Sequence, residues 1–241
     1  MNKKLSLNMN QLKTIAVVFM MIDHLAYVMI ERGIGFGGNW YQIDRVMRSM
    51  GRIAFPIFCF TIVEGFRRTR DAGAYLKRLI IFALISEIPF DLAFRGSIFD
   101  MSFQNVFWTL AFGLASMMIY DNRFIEGWKK ALGLFACFFV PYLFHTDYSI
   151  YGVLTIFLMN RFYDEPVKMC MAGYIMLLLQ STAEAWAVIG FLLILLYNGQ
   201  KGRGNKMFYY LFYPGHLLLL VFFKPYIVNY FSSMMSVMLQ I

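Results

Sequence analysis

Charge is scarce in this chain. Asp, Glu, Lys and Arg make up 15% of its 241 residues, against 60% hydrophobic, whereas soluble domains carry about 25% charged and about 45–50% apolar residues. One soluble core of this size cannot hide so much apolar surface, which excludes a soluble enzyme. It also excludes a soluble catalytic domain beside the apolar runs, because no stretch between them is long enough. Disordered, coiled-coil and disulfide-scaffold readings fail on the same composition. Cysteine is scarce too. Cys59, Cys137 and Cys170 each fall inside an apolar run without metal-ligand spacing, so they read as small buried hydrophobes and no metal is expected. No internal repeat is visible, and residues 1–241 read as one domain.

What remains is an integral membrane protein, with a mean hydropathy of +0.58. A spanning helix takes about 20 residues, so the expected fold is all-α, a polytopic bundle of about nine or ten transmembrane helices. The apolar runs cover 12–30, 50–66, 75–94, 104–120, 128–144, 148–162, 167–182, 184–198 and 207–223, with a weaker tenth at 226–239. They are continuous rather than alternating, which favours helices over a barrel. The segments 31–49 and 199–206 are Gly-rich and charged and read as loops. Lys3 and Lys4 precede the first run as in a signal peptide. That run carries Asp23 and His24 and has no clear cleavage site, so it reads as a retained span.

The net charge of +8 belongs to loops rather than to a nucleic-acid surface. With a cytoplasmic N-terminus and ten spans, fifteen Lys and Arg fall inside and five outside: Arg32, Arg45, Arg48, Arg95 and Lys224. This bias predicts a multi-pass protein of the inner or plasma membrane with its N-terminus in the cytoplasm.

Charges inside spans are costly and mark functional candidates. The first run holds Lys13, Asp23 and His24. The eleven-residue step from Lys13 to His24 is about three helical turns, placing both on nearly one stripe about 16 Å apart. Alternating span direction then brings Arg52, Ser86, Glu87, Asp91, Asn105, Asp147, Glu184 and His216 to the outer half, with Tyr213 just before His216. Asp147 and Glu184 also read as ordinary boundary residues, and Arg52 with Glu87 as a structural ion pair. On the inner side Arg67, Arg68, Arg70, Lys77 and Arg78 form a dense basic loop. Positive-inside topology explains it; a site for a polyanion such as a nucleotide phosphate is the sharper reading.

These residues carry a resemblance. Leu12-Lys13-x-Ile15-Ala16 leading to Asp23-His24, Gly51-Arg52-Ile53-Ala54-Phe55-Pro56-Ile57-Phe58 with Glu64-Gly65, and Ser86-Glu87-x-Pro89-Phe90-Asp91 with Asn105-Val106-Phe107 resemble the TraX family. Tyr197-Asn198-Gly199 and Tyr213-Pro214-x-His216-Leu217 extend the likeness along the chain. The family's named function is N-terminal acetylation of conjugative pilin at the membrane. The lysine, ten residues, then histidine is also similar to the first-helix pattern of membrane acyltransferases that use acyl-CoA. The resemblance implies an acetyl-CoA or other acyl-CoA donor entering from the cytoplasm, its phosphates held by Lys13, Arg67, Arg68, Arg70, Lys77 and Arg78. His24 is the implied general base, with Asp23 or, better, Glu87 from a facing helix fixing its tautomer. Arg52 is implied to stabilise the oxyanion or an acceptor carboxylate. Ser86, Asn105, Asp147, Tyr213 and His216 are the expected substrate-binding residues. The implied acceptor is an amine or hydroxyl at the membrane or its outer face, on a peptide N-terminus, glycan or lipid. Two rival readings stand beside this one: a secondary transporter with an intramembrane relay, and a non-catalytic assembly factor.

Overall fold

The computed structural model describes residues 6–35 and 40–238; Lys3, Lys4 and the glycines at 37 and 38 lie outside the described residues. Helix α1 (Met9–Leu25) starts at a capping box in which Asn8 and Gln11 exchange hydrogen bonds, satisfying two of the otherwise unpaired first amides. It continues without a break as a π-helix (Ala26–Ile34), a wider winding that is often found at functional sites. Then follow α2 (Trp40–Gly51), α3 (Ala54–Arg68), α4 (Ala72–Phe94), α5 (Val106–Asp121), α6 (Gly127–Leu143), α7 (Ser149–Arg161) and α8 (Pro166–Gln180). A 3-10 turn (Thr182–Trp186) leads into α9 (Ala187–Leu195), and α10 (Lys206–Met238) closes the chain. No strand occurs among the described residues, only isolated bridges.

Among the described residues three stretches are long and apolar enough to cross a membrane: Met9–Ile34, Trp40–Arg68 and Met207–Phe231. Several expected spans are shorter helices. α7 has 13 residues and α9 has 9, about 20 Å and about 14 Å of rise against a hydrocarbon core about 30 Å thick. Composition counts apolar residues but not the turns that interrupt them, here 144–148 and 181–186. Two further expectations are corrected. The 31–49 segment is not all loop, because α2 occupies its second half; this helix is amphipathic, with Tyr41, Ile43 and Val46 exposed and Asp44 buried. The ninth and tenth runs are one helix, α10, which passes through Pro214 and Pro225, as apolar helices tolerate when neighbours re-satisfy the freed backbone groups.

α7 packs between α5 and α8, α3 between α1 and α9, and α10 along α4 and the π-helix. Leu132, Phe135 and Phe139 of α6 and Met171, Ile175 and Leu179 of α8 face outward with 41–61% of their surface exposed. Stripes of large apolar side chains on the outside are what a lipid solvent permits and water does not. The three cysteines are buried and unpaired.

Candidate functional site

Two cavities flank a buried histidine pair. The larger, about 560 Å³, runs beside the first half of α1 and is lined at one end by Lys13, Arg68, Arg78 and Lys201 and at the other by Met20, Phe107, Leu110 and Tyr213. The smaller, about 220 Å³, lies past the end of α1 and is lined by Asp23, Arg48, Arg52, Arg95 and Asp147 with an aromatic wall of Tyr27, Phe90, Phe94, Phe103 and Tyr148.

His24 lies between them. Its ring meets Tyr213, of the larger cavity, edge-on at 5.9 Å and Phe94, of the smaller, at 5.3 Å. Its Nδ1 is 2.7 Å from Nε2 of His216 on α10. The two ring planes differ by 7° with centroids 4.9 Å apart, the spacing of imidazoles joined in line through facing nitrogens. His216 Nδ1 lies 2.7 Å from the Phe212 carbonyl. A carbonyl only accepts, so His216 carries its proton on Nδ1 and, when neutral, offers Nε2 as an acceptor. His24 must then donate from Nδ1, which leaves the lone pair on His24 Nε2. The chain of bonds fixes both tautomers from one backbone oxygen.

The expected acidic partners of His24 are not there. Asp23, about 100° further round α1, forms an ion pair with Arg48 of α2 at 2.6 Å. Its place depends on Gly51: a Cβ there would sit 2.3 Å from the Asp23 side chain. Glu87 is hydrogen-bonded by the Asn105 side chain, while His24 bonds His216 and Arg52 bonds Glu184. Arg52 pairs instead with Glu184 at 2.9 Å, whose side chain is buried in the 3-10 turn, and is also bonded to the Tyr148 hydroxyl. The reason is connectivity: the turn before α9 delivers a carboxylate to the N-terminal end of α3, while Glu87 is consumed at the start of α5.

The remaining expected residues divide. Asn105 caps α5, accepting from the Phe107 amide at 3.0 Å and donating to the Ala83 carbonyl at 2.8 Å, which is a structural task. Ser86 is fully buried, and its hydroxyl has no partner among the described residues. Asp147 and Tyr213 line the smaller and larger cavities respectively. Tyr148 stands at the start of α7 with φ 62°, stacked on Phe55 at 3.5 Å. With His145 and Ser149 it makes three non-glycine residues at positive φ within five positions, a local strain of about 1–3 kcal/mol each beside the smaller cavity. Of the basic loop, Arg68 and Arg78 line the larger cavity with Lys13. Arg67 does not: it donates to the Asn160 side chain at 2.8 Å and its carbonyl at 2.7 Å. Arg70 and Lys77 are exposed outside it. Among the described residues no cluster of three His, Cys, Asp or Glu could hold a metal ion.

Sequence reasoning gives Arg48 no place in the site, and it puts Glu184 and Tyr148 at the right depth without a role for either. Arg48 sits four residues before Arg52, a one-turn spacing that could have flagged it had α2 been read as a helix.

This geometry defines a class: an all-helical protein with membrane-compatible helices and a buried histidine pair between a cationic and a charge-paired cavity. The TraX protein family model matches residues 8–224, and the chain belongs to that family. It is 31% identical to the probable fimbrial assembly protein FimC, serogroup H1, of Dichelobacter nodosus, over 94% of this chain and 100% of that protein. No solved structure matches it.

Proposed function

We propose that the protein is a membrane-embedded acyltransferase that moves an acyl group, acetyl from acetyl-CoA in the simplest case, from a donor in the larger cavity to an amine or hydroxyl in the smaller one. The observation that carries this reading is the position of the His24–His216 pair, one aromatic ring from each cavity. The pair leaves His24 Nε2 as the only ring nitrogen of the two with a lone pair not taken up. As the acceptor attacks the thioester carbonyl, His24 Nε2 takes its proton. The carbon–sulfur bond breaks, the new carbon–nitrogen or carbon–oxygen bond forms, and His24 returns the proton to the departing thiolate. Arg52, held by Glu184, stabilises negative charge on the acceptor side.

On this reading the protein is a multi-pass protein of the cell's inner or plasma membrane, with the N-terminus and the Lys13 end cytoplasmic. The fimbrial name of the relative favours a peptide acceptor over a glycan or lipid. Fixed ion pairs at Asp23–Arg48 and Arg52–Glu184 disfavour the transporter reading, whose relay needs groups that exchange partners.

The test is transfer by the purified protein in detergent, with acetyl-CoA and an amine-bearing peptide, followed by mass spectrometry alongside folded His24→Ala. Transfer by wild type that is lost in the variant is expected. Near-normal transfer by the variant removes the base assignment. Failure of wild type to bind acetyl-CoA removes the acyl-CoA reading and brings the transporter forward.

A further inference from the structure

The loop between α9 and α10 is bound to the start of α1. The Met9 amide donates to the Gln200 carbonyl at 2.8 Å and the Asn10 amide to the Lys201 carbonyl at 3.1 Å. Arg68 ties the same loop to α3 through the Gly199 carbonyl at 2.8 Å. Only glycine permits this seat. Gly202 has φ +71°, and a Cβ there would lie 2.3 Å from Asn8 Oδ1; at Gly204 it would lie 1.8 Å from Asn10 Oδ1. The loop therefore lies flat on the first turn of α1, which brings Lys201 to the mouth of the larger cavity beside Lys13, Arg68 and Arg78.

The charge balance there is one-sided. Among the described residues Glu64 is the one acid lining the cavity, and it is taken up by Arg68 at 2.5 Å, by the Tyr197 hydroxyl at 2.6 Å and by the Tyr163 hydroxyl. The Lys201 side chain has no ion pair among the described residues. The amides of Lys201, Gly202, Arg203 and Gly204 make no backbone hydrogen bond among the described residues. Four converging cations, an open run of amides and an apolar throat together suit one kind of molecule: a polyanionic head on an extended uncharged tail.

We propose that the Gly199–Gly204 loop, with Lys201 at its centre, is a phosphate-binding cradle that recognises a pyrophosphate-type head at the mouth of the larger cavity. Head recognition stands on the cavity alone; only the identity of the tail rests on the acyl-donor reading. The same chemistry has two sources, a soluble nucleotide-linked carrier and an anionic lipid headgroup.

The experiment uses the full chain in phosphatidylcholine nanodiscs, with coenzyme A and inorganic pyrophosphate as probes in calorimetry. Both are expected to bind and to compete, with affinity falling as salt rises. Lys201→Ala is expected to weaken both by about tenfold, the loss of one charge-assisted contact. Gly202→Ala, which lifts the loop while keeping the lysine, is expected to do the same. Arg123→Ala, a basic residue away from the cavity, is expected to change neither. Nanodiscs containing phosphatidylglycerol separate the sources: lipid that blocks pyrophosphate through Lys201, with no coenzyme A binding, keeps the cradle and ends the acyl-CoA reading. Coenzyme A binding that depends on Lys201 without any transfer keeps the cradle and ends the acyltransferase reading. A folded Lys201→Ala that binds both probes as wild type does overturns the cradle, whatever the transfer assay gives.

Discussion

His24 and His216, 192 residues apart in the chain, share a 2.7 Å hydrogen bond in which His216 is itself anchored to the Phe212 carbonyl. On the proposed reading His216 is a positioning residue: it acts by holding His24 in one tautomer. His216→Ala is expected to lower kcat by about 10–100-fold with KM unchanged, less than the about 10²–10⁴-fold of removing the base itself. His216→Gln, whose amide oxygen still accepts from His24 Nδ1, is expected to recover most of that loss. Single-turnover transfer on His216→Ala and His216→Gln beside wild type decides it. A purely structural His216 would leave kcat of the folded Ala variant unmoved.

The stripe from Lys13 to His24 was legible in the sequence because one helix carries both ends, and helical periodicity fixes their relation. The partners of the charged residues were not. Depth arithmetic placed Glu87 and Glu184 at the same level as Arg52, and nothing in spacing tells which carboxylate faces it; the 3-10 turn before α9 does. The His24–His216 pair is hidden for the same reason. α2 is not legible as a helix because its outward apolar residues are interspersed with Asp44, Arg45 and Arg48. Pro225 and Lys224 look like a boundary within α10, although packing against α4 and the π-helix carries the helix through them.

Gly51 is a steric requirement of the smaller cavity. Gly51→Ala drives a Cβ into the Asp23 side chain and is expected to cost about 1–3 kcal/mol, as overpacking does. In an Asp23→Gly background the Cβ, Cγ and Oδ1 that the new methyl would meet are all gone, so the same substitution is expected to cost little. The coupling, read from unfolding in detergent as a double-mutant cycle, should exceed about 0.5 kcal/mol. Additive costs would show that the two residues do not compete for space.

Glu184 holds a guanidinium that has few other partners. Glu184→Ala leaves Arg52 largely buried with no ion pair, its contact with the Tyr148 hydroxyl apart. The expected cost lies toward the lower end of about 3–5 kcal/mol, because the Arg52 side chain is 24% exposed. Glu184→Gln keeps a hydrogen-bond acceptor and is expected to cost less, and Arg52→Met with Glu184→Leu to restore much of the stability. Equal losses in Glu184→Ala and Glu184→Gln would point to packing rather than charge pairing.

The proposed orientation puts the Arg68 and Arg78 end of the larger cavity in the cytoplasm. A cysteine introduced at exposed Arg70 is expected to resist a membrane-impermeant thiol reagent in intact cells and to react after permeabilisation. Cys59, Cys137 and Cys170 are buried, so background labelling should be low. Labelling in intact cells would reverse the orientation and place donor entry on the wrong side.

Lys13 and His24 should fail in different ways although they share a helix. Lys13 lies at the cationic end of the larger cavity, with its ammonium 5.5 Å from the Tyr209 ring centroid, whereas His24 lies beyond the opposite, apolar end. A contact with the donor head is made equally in the ground and transition states, so its loss raises KM and leaves kcat unchanged. Lys13→Ala is therefore expected to weaken acyl-CoA binding by about tenfold and to recover full turnover at saturating donor. His24→Ala is expected to bind acyl-CoA within about twofold of wild type and to lose turnover at every donor concentration. Calorimetry beside single-turnover transfer, with monodispersity in detergent as the check on folding, separates the two. If Lys13→Ala lowered kcat at saturation as His24→Ala does, the division of α1 into a binding end and a reacting end would be wrong.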